Sequence, residues 1–248
     1  MFRKLATGVA LSAALLMPLA ACGSSADKSG GTAKPAASPS PKPAELLSAA
    51  VTKTKAVNVS FNLDGGDEDT TGAYDVTKKM GTVDLTNAGE QMHLVVAEKD
   101  LYMLGVKDLG GKNLHMVVAK FPAEHGMLIV ADPVVALAML EGAVTVTSPT
   151  PNSYQGTIDL AKVTAATPGG AKMLEGLIKA AGAKANAVEF TAKVDAQGYV
   201  SEFNTRFPGA DQGKDMLYNI TFSNFGAPVT VTVPTAKLVE APAASYQP

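Results

Sequence analysis

From residue 57 to residue 233 the chain keeps returning to one pattern, short runs with a large apolar residue at every second position. Val57, Val59, Phe61 and Leu63 alternate with Asn58, Ser60 and Asn62, and Val188, Phe190, Ala192 and Val194 alternate with charged or hydroxyl side chains. A period of two sends successive side chains to opposite faces, so each run predicts a strand with one face buried. Further runs at 73–77, 81–87, 90–98, 101–106 and 113–120 follow, then 144–147, 153–160, 199–207, 215–224 and 229–233. Short polar turns such as Lys78-Lys79, Asn87-Ala88-Gly89, Lys99-Asp100 and Ala196-Gln197-Gly198 separate many of them. Turns this short permit hairpins and exclude crossovers, so neighbouring strands pair antiparallel.

Three segments break the period. Pro43-Ala44-Glu45 opens a helix with Leu46, Leu47, Ala50, Val51 and Thr54 on one face. Asp132-Pro133 reads as an N-cap with proline in the first turn, leading a helix with Val134, Leu137, Ala138 and Leu140 inward, ending near Gly142. Thr167-Pro168 repeats the device for a helix to about Ala181, with Met173, Leu174, Leu177 and Ile178 inward and Gly182 as its C-cap. The expectation is an α+β fold of about eleven or twelve strands and three helices, one domain over 44–240 with a loose tail at 241–248. A long antiparallel sheet tends to curl, and its apolar face must be covered. Three helices are few for so much sheet, so the expected architecture is a strongly curved half-barrel with helices partly covering its concave face. A closed, filled barrel would give the same pattern.

Composition narrows the function. Lys and Arg number 21 against 23 Asp and Glu, a net charge of −2. That argues against nucleic acid, which needs a basic face to release counterions from phosphates, so no nucleic-acid partner is expected. One Cys excludes an intrachain disulfide and a thiolate metal cage, and His93, His115 and His125 are dispersed, so no metal or cofactor is expected. The acidic turn Asp64, Asp67, Glu68, Asp69 lacks EF-hand spacing and reads as a solvated loop. There is no P-loop, dinucleotide fingerprint or Gly-x-Ser-x-Gly elbow, and the reading is not an enzyme.

The N-terminal end carries the strongest motif. Arg3 and Lys4 precede an uncharged run from Leu5 to Ala21, and Leu19-Ala20-Ala21 then meets the sole cysteine, Cys22. This resembles the bacterial lipobox, which implies cleavage after residue 21 and diacylglycerol on the Cys22 thiol. Each buried CH₂ contributes roughly 0.8 kcal/mol, so two or three acyl chains hold a protein at a bilayer. Residues 1–21 are then a lipoprotein signal peptide. Residues 22–43 are the lipidated cysteine and a Gly/Ser/Pro tether without a large apolar residue. The expected location is the extracytoplasmic face of the cell membrane.

The lipobox and tether are followed by VNVSFNLDG at 57–65, DLYM at 100–103, DPVVAL at 132–137, NSYQGTIDL at 152–160, AVEFTAKVDAQGYVSEF at 187–203 and YNITFSNFGAPVTVTVP at 218–234. Over roughly residues 1–235 this order resembles the actinobacterial LppX/LprG-type lipoproteins of LolA-like fold. The resemblance implies a half-barrel that holds acyl chains of lipids or lipoglycans, without catalysis, and moves them across the envelope. A membrane transporter is a possible partner. Candidate cavity residues are Val57, Val59, Phe61 and Leu63; Met92, Leu94 and Val96; Leu137 and Leu140; Leu174 and Leu177; Val188, Phe190 and Val194; and Tyr218, Ile220 and Phe222. Taken singly, each fits a plain core better than a ligand contact. The alternative function is an envelope sensing or protein-interaction lipoprotein using the same groove.

Overall fold

The computed structural model describes residues 40–64, 68–87 and 90–247. The signal segment, Cys22 and most of the tether lie outside these residues, as do two turn tips, including Asp67 of the acidic turn. Residues from Ser40 onward form one compact unit.

Helix α1 (Pro43–Lys55) starts where expected, with Pro43 in the first turn and the Glu45 carboxylate accepting the Lys42 backbone N–H at 3.1 Å. Leu47, Ala50, Val51 and Thr54 are buried, whereas Leu46, expected on that face, is 45% exposed. The Thr54 hydroxyl donates to the Ala50 carbonyl (2.7 Å) and accepts the Val200 backbone N–H (2.8 Å), tying the helix to the sheet.

Six strands then meander outward: β1 (Val59–Asp64), β2 (Glu68–Asp75), β3 (Met80–Asn87), β4 (Glu90–Ala97), β5 (Asp100–Val106) and β6 (Lys112–Val117). The chain crosses through α2 (Leu128–Ala131) and α3 (Val135–Glu141) to β7 (Ala143–Thr150) and β8 (Ser153–Ile158). After α4 (Pro168–Ala181), three long strands return, β9 (Val188–Val194), β10 (Val200–Asp211) and β11 (Lys214–Ser223). A short β12 (Leu238–Glu240) ends the sheet. The order is β12-β6-β5-β4-β3-β2-β1-β11-β10-β9-β8-β7. Every pair is antiparallel except β12 with β6, and the sheet does not close on itself. The protein is thus an α+β fold with an open twelve-stranded sheet and four α-helices among the described residues.

α4 has its predicted bounds, with the Thr167 hydroxyl accepting the Gly170 N–H at 3.1 Å and Gly182 at the C-cap. The second predicted helix differs. Asp132 ends α2 instead of capping α3, which starts at Val135 beneath a backbone turn from the Asp132 carbonyl. The Asp132 side chain turns inward, and its Oδ2 accepts the Thr167 hydroxyl proton. Every residue from Val135 to Leu140 is buried, leaving α3 apolar all round.

Two further expectations are corrected. Residues 229–233 alternate but make no strand, because 224–237 carry the chain from β11, mid-sheet, to β12 at the edge, and Pro228 and Pro234 bracket the run. The tail is docked, not loose. Tyr246 is 8% exposed, its ring lies 5.1 Å from that of Phe121, and its hydroxyl accepts the Val117 N–H at 3.0 Å.

Candidate functional site

Register assigns one face of the sheet to large apolar side chains across ten strands. From Phe61 in β1 the row runs one way through Gly72, Val83, Leu94, Met103 and Leu114, each directly opposite the last. The other way it runs through Phe222 in β11, with Ile220 opposite Phe203 and Phe203 opposite Ala192 and then Tyr154. Helix residues Leu47, Val51, Leu137, Leu140, Leu174 and Leu177 complete one contiguous cluster with this face.

Fourteen of the seventeen candidate cavity residues belong to that buried cluster. Met92 and Val194 pack against it half-buried. Val57 precedes β1, in the turn after α1 where its N–H donates to the Thr54 carbonyl, and is not part of the cluster. Phe203 and Phe207, both fully buried, were within reach of the same alternation in 199–207.

Two inward aromatics lie over glycines of the next strand. A Cβ at Gly72 would stand 2.6 Å from the Phe61 ring, and one at Gly81 would stand 2.8 Å from the Tyr74 ring. Both positions need hydrogen in place of a side chain so that the rings can lie flat on the sheet.

The centre of the layer is polar. Asp132 is 1% exposed, and its Oδ2 accepts the Thr167 hydroxyl proton at 2.6 Å. Oδ1 has no protein partner. The hydroxyls of Tyr74 and Tyr218, 1% and 0% exposed, likewise have none. Burial pushes the Asp132 carboxyl up to about 6, against the pull of the Thr167 hydroxyl, the Val134 amide and the charges of Lys55 and Lys79. Burial also raises both phenols, and the Asp132 charge is the strongest acting on each. Sequence reasoning took Asp132 for a cap. The signal for its burial was its position as the lone charge in the apolar run from Met127 to Leu140.

Elsewhere the surface is ordinary. Two depressions of about 700 and 540 Å³ are present, the first on the exposed side of α1 around Ser48 and Lys53. The other lies on β7–β11 among Thr145, Thr157, Thr191 and Arg206, with Phe190 and Leu217 also in its lining. His93 lies exposed against Asp84. Among the described residues no group of three His, Cys, Asp or Glu is placed to hold a metal, and no helix is long and apolar enough to cross a membrane.

This geometry defines the class as an α+β protein with an open sheet whose apolar face lies under helices. No family model and no curated protein matches the chain. Among solved structures, it is similar to an uncharacterized conserved protein from Thermus thermophilus, at 10% identity and a TM-score of 0.38, covering 79% of this chain and 98% of that one.

Proposed function

We propose that this chain is a membrane-anchored extracytoplasmic lipoprotein of the LppX/LprG type that holds acyl chains of lipid or lipoglycan between sheet and helices and carries them within the envelope. Cys22 anchors it, residues 23–43 tether it, and no catalytic group is needed. The observation that carries the reading is the single apolar face spanning ten strands of an unclosed sheet, covered by four helices. A half-barrel curl fits the connectivity. Residues 118–142 pass from β6 to β7, ten strand spacings apart. That is about 48 Å on a flat sheet, a path that curling shortens.

In the conformation described, the face is filled by its own side chains. Loading therefore requires the helices to part from the sheet. α2 and α3, four and seven residues long, are held by packing and not by their own stability, so they are the elements to yield. Each CH₂ taken from water returns about 0.8 kcal/mol, and a long chain repays the opening.

The same filled face favours a second reading, an envelope sensing or protein-interaction lipoprotein that never opens. Native mass spectrometry of protein purified from its own host separates the two. The carrier reading expects bound lipid. Ligand-free protein that takes up no fluorescent acyl probe overturns it, and co-purification of a membrane partner without lipid supports the second reading.

A further inference from the structure

The segment from 118 to 127 joins β6 to α2 and is gripped from two sides. On one side is α4, where the Lys172 ammonium donates to the Phe121 carbonyl at 2.7 Å, Lys179 pairs with Glu124, and a Cβ at Gly176 would collide with the Ala123 carbonyl. On the other is the end of the described chain. Residues 243–246 form a 3₁₀ turn after β12, and Tyr246 is the single buried residue between 241 and 247. Its ring lies 5.1 Å from that of Phe121, its hydroxyl accepts the Val117 N–H at 3.0 Å, and the Lys120 ammonium lies 5.4 Å from the ring centre. The Phe121 ring in turn lies 4.5 Å from that of His125, whose Nδ1 accepts the Met127 backbone N–H at 3.1 Å. Met127 is the N-cap of α2. One line of contacts thus runs from the tail through Tyr246, Phe121 and His125 to the start of α2.

The docked area is small. One ring and one hydrogen bond seat Tyr246, and the three-residue β12 is the only strand behind it. Terminal segments with so few buried contacts open at far lower cost than the domain unfolds. Four-residue α2 has no helical stability of its own, so it depends on what grips its ends. We infer that residues 241–247 are a strap on the helical cover: docked, they hold α2 in place through Phe121 and His125, and released, they let α2 and α3 part from the sheet. The strap takes its use from the acyl-chain reading above, in which that parting admits the cargo. His125 is its clasp. An Nδ1 that accepts an amide proton belongs to a neutral imidazole, and a proton placed there would set two donors against each other. Burial holds this imidazole below its ordinary range, with the Ser245 and Gln247 carbonyls pulling the other way. The charged groups on the elements packed here are Lys120 and Glu124 on its own segment, Lys172 and Lys179 on α4, and the His115–Glu240 pair where the tail leaves β12; residues 241–247 carry no charged side chain. A base with a lowered folded value gives stability that is complete above its unfolded pKa, about 6.5 for His, and lost as pH falls through the folded value. Acid therefore loosens the strap.

Hydrogen exchange on the full-length protein reads the strap without any ligand. In Tyr246→Ala the amides of 127–131 should exchange about tenfold faster than in the parent at pH 7.5, while those of Phe61 and Ile220 on the central strand pair keep their rates. In the parent, the 127–131 amides should exchange faster at pH 5 than at pH 7.5 after correction for intrinsic rates. His125→Gln, whose side-chain carbonyl accepts the Met127 N–H without titrating, should remove that difference. Uptake of a fluorescent palmitate analogue should be faster in Tyr246→Ala than in the parent. Unchanged exchange at 127–131 overturns the strap, and so does equal acceleration at Phe61 and Ile220, which would make the tail a brace for the whole fold. A pH difference that persists in His125→Gln overturns the clasp. Uptake at the parent's rate despite faster exchange overturns the gating of cargo. Faster local exchange with no uptake by either protein supports the strap and overturns the acyl-chain reading instead.

Discussion

At the scale of single residues, the apolar face depends on hydrogen atoms where side chains would collide. Phe61 lies over Gly72 and Tyr74 over Gly81, so two central rings lie against backbone. Gly72→Ala would drive a methyl group into the Phe61 ring and the Thr82 carbonyl. We expect it to cost about 1–3 kcal/mol of unfolding free energy, the range for overpacking, measured by urea denaturation at unchanged m-value. Gly126→Ala, with open space around the new methyl group, serves as the control and should stay within about 0.5 kcal/mol of the parent. Equal effects at the two positions would sink the account. The inward direction of Phe61 was legible in the sequence, because alternation fixes it. The glycine beneath it was not, since register with β2 depends on a turn whose tip holds Gly65 and Gly66 in an otherwise acidic run.

At the scale of elements, the most dependent piece is β12. It has three residues, lies at an edge and pairs in parallel with β6. Beyond its ladder it is held by His115, whose Nδ1 meets Glu240 Oε1 at 2.8 Å while Nε2 meets Asp100 Oδ1 at 3.0 Å. The imidazole also stacks on Tyr102, with ring centroids 4.9 Å apart. Burial works against its charge, but hydrogen bonds to Glu240 and Asp100, with their negative charges, outweigh it and hold the imidazole above its ordinary range. A basic group with a raised folded value stabilises most below its unfolded pKa, about 6.5 for His, and loses that contribution as pH climbs through the folded value. Amides of 238–240 should therefore exchange faster at pH 8.5 than at pH 6 after correction for intrinsic rates. His115→Gln should show the faster behaviour at both. Protection that is independent of pH in the parent protein would remove the histidine from this role. The first helix, the last helix and most strands were legible because their caps and alternation are local. β12 was not, because three residues carry no period, and its pairing spans more than a hundred residues of chain.

At the scale of the whole molecule, two meanders grow outward from a central pair, β1 with β11, and a helical crossing joins their far ends. Most strands were legible and their order was not, because no turn connects β1 to β11 and only tertiary packing brings them together. The proposed anchor lies outside the described residues and is open to a direct test. Cys22→Ala should move the protein from the membrane pellet to the soluble fraction with an unchanged thermal midpoint, since no other thiol exists in the chain. Retention in the pellet would mean that the N-terminal segment stays as a membrane helix. One optical consequence follows from the interior. The chain has six tyrosines and no tryptophan, so its near-ultraviolet emission is tyrosine light alone. Two of those fluorophores, Tyr74 and Tyr218, are buried in the layer under the helices. If the proposed acyl cargo enters the layer, it comes to rest against these rings, and a change in that glow on loading reports it without a dye.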